Sequence, residues 1–395
     1  MSSSAPPPAA PCVLLAPDKF KASATARAVV EALAEGVRQG APGAVVIGRP
    51  IADGGDGTVD VLLAGGYQPL VVPAADVVGR PRDTVVATRD GLAVIELAAT
   101  CGLAQLGSRR EPLRATSLGL GVALRQTLAA GFRDVVLGLG GSGSTDGGLG
   151  LLTALGARGL DARGRVVSPD GAGLLRLSDL DVSGINLPPG VRIRLACDVV
   201  SPMHGPAGAA TVFGPQKGAS PAEVALLDAA LERLAGMLEE RCGTDPAQTP
   251  GAGAAGAVAG AAIAALGAEV VDGAVFVLTA TGFDEALARA DLVVTGEGSW
   301  DAQSLLGKGP GEVVRRAREA GVPTVVVAGQ IDAGSLDGTG AVVGWSLAEV
   351  AGSVDRAIVD VLPLLREAGV AVGQMLPAVP WTSATRTGTT RPPGS

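Results

Sequence analysis

Short apolar runs alternate with helical patterns at both ends of the chain. The run at 12–17 predicts a buried strand, and a helical pattern near 24–39 leads to a second strand near 44–49. At the far end, strands at 291–296 and 323–329 enclose another helical pattern. Short buried strands that alternate with helices are typical of parallel sheets with helices on both faces. The two ends together predict one doubly wound, Rossmann- or flavodoxin-like α/β domain.

The middle of the chain has a different pattern. Residues 68–98 contain several strand-like runs with little helix between them, as in antiparallel pairs. Helical patterns near 113–130 and 146–155 follow, on either side of a strand at 134–140. We therefore expect a second α/β domain with a mixed sheet, inserted into the first, and a cleft between the two. The predicted boundaries are 11–74 and 286–378 for the doubly wound domain, 75–285 for the inserted domain, and 1–10 and 379–395 for disordered tails.

Length and composition agree with two domains and exclude several function classes. The chain has 395 residues, and 47% of them are hydrophobic, although very few are aromatic. Its formal net charge is −8 and no stretch is strongly basic, which argues against a nucleic-acid or anionic-membrane partner. The sequence indicates no oligomeric state.

Cysteine and histidine usage excludes a zinc site or a disulfide framework. The four cysteines are far apart, without a C-x-x-C pair, and the chain has one histidine. Scattered thiols and the lack of a secretory pattern at the start indicate a cytoplasmic protein. The uncharged segment 251–268 is mostly Gly and Ala, so we expect a buried helix with a Gly-rich start there rather than a membrane span.

The lysines are few and are placed in a consistent way. Only four of the 31 basic residues are lysine, and each stands beside a Gly- or Pro-rich turn. A lysine provides a compact ammonium where an arginine provides a planar guanidinium. The pattern therefore favours sites that hold phosphate or another anion, at Lys19, Lys21, Lys217 and Lys308.

Two loops that follow predicted strands in the first part of the chain carry candidate chemistry. In APDKFKAS (16–23), Ser23 or Thr25 is the expected cap of the next helix, whose N-terminus would attract an anion. In PIADGGDGTVD (50–60), Asp53 and Asp56 surround a glycine pair. These carboxylates would bind magnesium or substrate hydroxyls, unless they only form an Asp-Gly turn.

The loop GLGGSGSTDGG (138–148) has two interpretations. Gly138, Gly140 and Gly143 satisfy the G-x-G-x-x-G pattern, and Asp161 follows about twenty residues later, as in dinucleotide-binding proteins. The same loop could hold nucleotide phosphates on its backbone N–H groups. A P-loop kinase is excluded because Lys308 is followed by glycine rather than Ser or Thr.

Two later loops add ionisable groups. Asp198 ends a predicted strand and is a better candidate base than His204, which lies in a proline-bounded loop. In the same segment Phe213 is expected to pack in the core, and Lys217 follows it. The segment TGEGSWDAQSLLGKGP (295–310) brings Glu297, Asp301 and Lys308 into one Gly-rich stretch.

Taken together, these motifs resemble the type 1 glycerate kinase family. The family pattern APDSFKGS corresponds to APDKFKAS, ADGGEGT to ADGGDGT, and GGSATNDGG to GGSGSTDGG. The runs FGPQKGA and TGEG, followed by Asp, Gln and Gly-Lys, match almost letter for letter. The resemblance covers about residues 12–375. Lys19 stands where the family has serine, which is expected to affect substrate selectivity.

The resemblance implies transfer of the ATP γ-phosphoryl group to D-glycerate, with magnesium, to give 2-phosphoglycerate in preference to 3-phosphoglycerate. An NAD-dependent dehydrogenase and a non-catalytic ligand-binding homologue are the alternatives. The expected catalytic residues are Asp198, Lys217 and Lys21, and the expected metal ligands are Glu297 and Asp301. The expected substrate-binding residues are Asp18, Asp53, Asp56 and Ser23. The expected nucleotide-binding residues are Gly141, Ser142, Gly143, Ser144, Asp146 and Lys308.

Overall fold

A computed structural model describes residues 10–21, 23–305 and 308–376. The tails predicted at 1–10 and 379–395 lie outside these ranges, apart from residue 10. Among the described residues the strands, in chain order, are β1 (Cys12–Leu15), β2 (Val45–Gly48), β3 (Gln68–Ala75), β4 (Pro81–Arg89), β5 (Leu92–Glu96), β6 (Asp134–Gly138), β7 (Arg158–Leu160), β8 (Asp179–Asp181), β9 (Arg192–Ala196), β10 (Glu269–Val271), β11 (Leu292–Thr295), β12 (Ser299–Trp300), β13 (Thr324–Ala328), β14 (Gln330–Ile331) and β15 (Ala341–Ser346).

The helices are distributed between these strands. They are α1 (Ala26–Gly40), α2 (Thr58–Ala64), α3 (Leu97–Cys101), α4 (Leu118–Ala129), α5 (Leu149–Ala154), α6 (Gly171–Arg176), α7 (Ala209–Phe213), α8 (Pro221–Cys242), α9 (Ala254–Leu266), α10 (Gly273–Ala280), α11 (Phe283–Leu287), α12 (Gly309–Glu319), α13 (Leu347–Ala351), α14 (Val354–Val359) and α15 (Val361–Met375).

The first sheet contains strands from both ends of the chain. Its order is β15-β13-β11-β1-β2, and every neighbouring pair is parallel. Alternate residues of β1 enter different cores, since side chains alternate across a strand. Val13 and Leu15 pack with α1 and α15 on one face, whereas Leu14 packs with α11 and α12 on the other. The prediction of a doubly wound domain built from both chain ends is confirmed.

The second sheet is mixed, as predicted. Its order is β10-β9-β6-β5-β4-β3, with parallel pairs from β10 to β5 and antiparallel pairs from β5 to β3. The antiparallel part is the segment 68–98 that the alternation pattern indicated. Helices α4 and α9 pack on one face of this sheet, against side chains of β5 and β6.

The boundaries between the two sheets differ from the predicted ones. β3 begins at Gln68 and pairs with β4, so the chain enters the second sheet before residue 75. After β10 ends at Val271, α10 and α11 already contribute Leu278 and Phe283 to the core of the first sheet. Since α2 and α10 also pack against the second sheet through Leu62 and Ala280, these two helices lie at the junction of the sheets.

The uncharged segment 251–268 forms the buried helix α9. Its first turn is irregular, because Ala255 and Ala257 have the left-handed φ values of 58° and 70° on either side of Gly256. Most of its residues are buried, some in the core of the second sheet and others in a core formed with α5, α7 and α8. Among the described residues, no helix is both long enough and apolar enough to span a membrane.

Candidate functional site

Two glycine-containing loops meet where the carboxyl ends of the sheets face each other. One follows β2 and contains Asp53 to Gly57, here called the acid loop; the other follows β6 and spans residues 138–148, here called the glycine loop. A Cβ atom on Gly140 would lie 2.5 Å from the Cα of Gly55, and one on Gly138 would lie 2.6 Å from the carbonyl oxygen of Gly54. The backbones are therefore in direct contact, and side chains larger than hydrogen would separate the loops.

Asp53 lies among the other candidate carboxylates. Its Oδ1 accepts a hydrogen bond from the N–H of Gly55 at 3.0 Å, which orients the side chain within the acid loop. Its charge contributes to the raised pKa values of Asp18, Asp198 and Glu297, in each case after a larger effect of burial. These four predicted site residues, which come from four separate loops, thus share one electrostatic environment.

Asp18 and Lys19 follow β1, and Lys19 contacts the acid loop. Asp18 is buried, which raises its pKa to about 7 although the adjacent Lys19 opposes the rise. Burial works against a charged Lys19, but Asp18, Asp53 and Asp56 lie close and raise the pKa of Lys19 above its ordinary value. The Nζ of Lys19 donates to the carbonyl oxygen of Asp56 at 2.6 Å, so one ammonium links the two loops.

Asp198 lies just beyond β9, where the sequence predicts a rigidly held carboxylate. Its Oδ1 accepts a hydrogen bond from the N–H of Gly273 at the start of α10, at 3.1 Å. Its Oδ2 is buried and has no hydrogen-bond partner within the described part of the chain. Burial, with Asp53 and Asp272 nearby, raises the pKa of Asp198 to about 8. A carboxylate with one oriented and one unpartnered oxygen can accept a proton from a ligand.

Glu297, Asp301 and Lys308 surround the short β12 strand. Burial raises the pKa of Glu297, Lys308 lies close enough to oppose this, and the Oε1 of Glu297 is buried without a partner among the described residues. Asp301 differs, because its Oδ1 accepts the N–H groups of Gln303 and Ser304 and caps a turn. Lys308 immediately precedes α12, which packs against the chain just before the acid loop.

Lys217 supports the glycine loop from the interior. It is only 3% exposed, and its Nζ donates to the hydroxyl of Ser142 at 2.8 Å and to the carbonyl oxygen of Ser144. Burial lowers the pKa of Lys217 to about 7. The hydroxyls of Ser144 and Thr145 are buried without a partner among the described residues. The Nζ of this lysine therefore lies directly beneath the loop rather than on its surface.

The ends of the glycine loop have different surroundings. Gly141, with φ +75°, is exposed, and a Cβ atom there would lie 3.6 Å from the Cβ of Asp56. Gly143 is buried and donates to the carbonyl oxygen of Cys101 at 2.8 Å. Asp146 is fully buried, and its carboxylate accepts four hydrogen bonds, from the N–H and hydroxyl of Ser117 and from the N–H groups of Gly148 and Gly150. Its oxygens are therefore occupied within the protein.

The remaining predicted residues lie at the edges of this arrangement. Lys21 is exposed, and its backbone nitrogen would be 3.2 Å from a Cβ on Gly298, which places it beside the segment after β11. Ser23 bonds to the carbonyl oxygen of Phe20, whereas Thr25 is the residue that caps α1. His204 is half-buried in a segment that α8 holds through Asp228.

The structure does not form the dinucleotide-binding unit that the glycine pattern allows. In such a unit the strand after the glycine loop and its helix joins the same parallel sheet. Here β7 follows the glycine loop and α5 but pairs antiparallel with β8 in a separate two-stranded sheet. Asp161 lies in an exposed turn, where it forms an ion pair with Arg165. The glycine loop therefore does not belong to the NAD-binding βαβ unit that a dehydrogenase requires, and the dehydrogenase interpretation is wrong.

A metal ion would need more than the protein's own ligands. The described ranges contain no group of three or more Asp, Glu, His or Cys side chains placed to hold a metal ion. Magnesium commonly takes one or two carboxylates and completes its shell with water and substrate phosphates. The buried, unpartnered Oε1 of Glu297 is the kind of oxygen that such an ion requires. The residues present therefore fit a magnesium ion that enters with a phosphate ligand.

A cavity of about 460 Å³ opens beside the acid loop. Its lining includes the polar residues Asp18, Lys19 and Asp56 and the apolar residues Ile51 and Val61. Its volume is that of a small-molecule site. One buried acid next to this cavity, Glu96, was not predicted, because it stands inside an apolar run that indicates a strand and nothing else.

Comparison with known proteins agrees with this arrangement. The model of the glycerate kinase family matches residues 13–377, which is most of the chain. The chain belongs to the glycerate kinase family. The family membership confirms the predicted resemblance and the predicted class of enzyme, a phosphotransferase with an alcohol group as acceptor.

Individual family members are similar over nearly their full length. A protein called glycerate 2-kinase from Escherichia coli strain K12 is 38% identical over 87% of this chain and 92% of its own. A glycerate kinase from Bacillus subtilis strain 168 is 38% identical over 81% and 85%. A crystal structure described as glycerate kinase 2 from Salmonella typhimurium LT2 superposes with a TM-score of 0.78 at 34% identity and covers 93% of this chain and 99% of that one.

Proposed function

We propose that the protein transfers the γ-phosphoryl group of ATP to D-glycerate and forms 2-phosphoglycerate. The observation that carries the proposal is the convergence of Asp18, Asp53, Asp198 and Glu297 beside a glycine loop with a lysine beneath it. Phosphoryl transfer depends mainly on positioning and charge neutralisation, and this arrangement offers both. The name of the Escherichia coli relative supports the 2-hydroxyl as acceptor.

Asp198 acts as the base that receives the proton of the attacking hydroxyl. One carboxylate oxygen is held by the N–H of Gly273, so the buried, unpartnered Oδ2 is the oxygen that meets the substrate. A raised pKa near the operating pH suits a group that must both accept and release a proton. The substrate hydroxyl loses its proton to Oδ2 as its oxygen forms a bond to the γ-phosphorus and the bond from phosphorus to the β-phosphate oxygen breaks.

The lysines neutralise negative charge around the transferred group. Lys217 places its charge under Ser142 and Ser144, so the glycine loop presents a positive potential to nucleotide phosphates. Lys308, at the start of α12, and the exposed Lys21 act from the other side, on phosphate or on the glycerate carboxylate. Because Asp146 is saturated with internal hydrogen bonds, its part is to fix the shape of the glycine loop.

The first sheet supplies the groups that recognise the acceptor. Asp18 and Asp56 line the cavity, Asp53 belongs to the same loop as Asp56, and we assign all three as acceptors of hydrogen bonds from the hydroxyls of glycerate. Ser23, beside the same loop, contributes its hydroxyl. Carboxylates that bind hydroxyl groups reject analogues that lack them, because their buried oxygens would then be unpaired.

The segment that contains Glu297 and Asp301 would hold the magnesium ion that accompanies ATP. The Oε1 of Glu297 is the protein ligand that we assign to it, and Asp301 supports the same segment through the turn that it caps. When bound, the ion neutralises charge on the phosphate oxygens.

A cytoplasmic location is also part of the proposal, since Cys101 and Cys197 are buried free thiols of the kind that a reducing compartment maintains.

A coupled assay of ADP release tests the proposal. The wild type is expected to release ADP from Mg-ATP only when D-glycerate is present. Asp198→Asn should lower kcat by roughly a hundredfold or more, the contribution of a general base, and retain the affinity for Mg-ATP. An Asp198→Asn variant with near wild-type turnover would remove the base assignment. A folded wild type that binds both ligands without ADP release would instead indicate a non-catalytic homologue.

A further inference from the structure

Glu96 connects the second sheet to the acid loop. It is the last residue of β5 and is only 5% exposed. Its Oε1 accepts the N–H of Gly57 at 3.1 Å, and its Oε2 accepts the N–H of Val59 at 3.0 Å. Both donors lie at the start of α2, where backbone N–H groups have no partner within the helix. One side chain thus binds the point at which the acid loop becomes a helix.

This contact joins two loops that the proposed reaction uses together. In the parallel pairing of β5 with β6, Glu96 stands opposite Gly138, the first residue of the glycine loop. The position of Gly138 in turn is in close contact with the carbonyl of Gly54 in the acid loop. The end of β5 therefore holds the acid loop next to the point where the glycine loop begins.

The two hydrogen bonds oppose the cost of burying the Glu96 carboxylate. Burial raises the pKa of Glu96 to about 7, and Asp56 and Asp60 also act in this direction. A glutamine would avoid the cost of a buried charge, but its single oxygen could replace only one of the two acceptors. Lys19 bonds to the carbonyl of Asp56, so the acid loop is held from the first sheet as well.

We propose that Glu96 is a positioning residue that holds Asp53 and Asp56 in place against the glycine loop. The inference rests on the proposed function for its kinetic consequence. Its structural part, the hold on Gly57 and Val59, is independent of the substrate. A misplacement of about 1 Å in a reacting group can cost on the order of a hundredfold in rate.

The test compares Glu96→Gln with a matched loss of a cap elsewhere. Asp170 caps α6 through the N–H of Gly173 at 2.8 Å and lies outside the proposed site, so Asp170→Ala, which removes this acceptor, serves as the control. Glu96→Gln is expected to lower kcat with D-glycerate by about tenfold to a hundredfold, with the KM for ATP changed less than about twofold. Glu96→Asp, which keeps both acceptor oxygens, should recover part of the loss.

Amide hydrogen exchange separates failure of this inference from failure of the proposed function. In Glu96→Gln at least one of the amides of Gly57 and Val59 should exchange about tenfold faster than in the wild type, and in Asp170→Ala only Gly173 should do so. Unchanged exchange at Gly57 and Val59 would overturn the hold itself, even if the wild type proved inactive on glycerate. Accelerated exchange with an unchanged kcat would overturn the positioning role.

Discussion

Lys19 donates a hydrogen bond from its Nζ to the backbone carbonyl oxygen of Asp56, over 2.6 Å. The two residues belong to loops that follow neighbouring strands of the first sheet. The family pattern has serine at this position, and the short serine side chain could not reach the carbonyl oxygen of Asp56 in the same way. The link between the two loops therefore depends on the lysine at this position.

Lys19→Met should raise the KM for D-glycerate by about tenfold, since a hydrogen bond from a charged group contributes about 1.5 kcal/mol. The acid loop loses its tie to the first loop while the volume of the side chain is kept. Steady-state kinetics at saturating ATP measure the change. Arg27→Met is the control, because Arg27 lines the same cavity but its exposed side chain pairs with Glu31. Equal effects of the two substitutions would mean that only net charge matters.

Lys217→Met should change the stability of the protein in a pH-dependent way. Folding lowers the pKa of Lys217 from 10.5 to about 7, so the folded state binds fewer protons than the unfolded chain between these values. The wild type should therefore gain stability over the variant as the pH rises from 7 to 10.5. Chemical denaturation across this range tests it, and a pH-independent difference would show that Lys217 is not desolvated.

The same substitution should affect ATP more than glycerate. Without Lys217 the hydroxyl of Ser142 and the carbonyl of Ser144 lose their shared donor. We expect the KM for ATP to rise by about tenfold or more and the KM for D-glycerate to change little. Steady-state kinetics of the variant measure both KM values. A larger rise in the KM for D-glycerate than in the KM for ATP would instead assign Lys217 to binding of glycerate.

Substitutions of Glu297 and Asp301 should have different effects on the magnesium requirement of the enzyme. Glu297→Gln is expected to raise the magnesium concentration for half-maximal activity by about tenfold or more, the loss that even an indirect partner of a metal produces. Asp301→Ala should instead cost about 1 kcal/mol of stability, because it removes a capping group, and leave the magnesium requirement almost unchanged. A larger magnesium effect for Asp301→Ala would reverse this assignment.

Contact between the two loops predicts a strong effect of one methyl group. Gly140→Ala would place a Cβ atom 2.5 Å from the Cα of Gly55, so the loops must separate. We expect a loss of about 1–3 kcal/mol of stability together with most of the activity. Gly236→Ala is the control, since its added Cβ would meet no described atom within 4 Å outside the surrounding turns of α8, and it should stabilise this helix by about 0.5–1 kcal/mol. Wild-type activity in Gly140→Ala would contradict the contact.

Local patterns predicted most strands of the two sheets, but not the edge strands β10 and β15. The buried strands β1, β11 and β13 have apolar side chains on both faces, and they lie within the predicted runs. The entry into the second sheet was misplaced because β3 joins it only through pairing with β4, a contact that no single run reveals. The return was misplaced because α10 packs between both sheets.

The candidate site was predictable as residue types in loops but not as an arrangement. Asp53 and Asp198 are far apart in sequence, and only the packing of the sheets brings them into one environment. Lys217 belongs to a Gly/Pro-rich loop, yet the fold buries it beneath the glycine loop. Glu96 could have been noticed as a carboxylate that ends an apolar strand, but its donors lie in a distant loop.

Phosphorus NMR of the reaction product tests the central claim most directly. The wild type, incubated with Mg-ATP and D-glycerate, should produce ADP and a new phosphate monoester whose proton-coupled signal is a doublet, since the phosphorylated C2 of glycerate carries one proton. Asp198→Asn should produce no such signal in the same time. A triplet would assign the product to the 3-hydroxyl. No new monoester from a folded, ligand-binding wild type would contradict the proposed function.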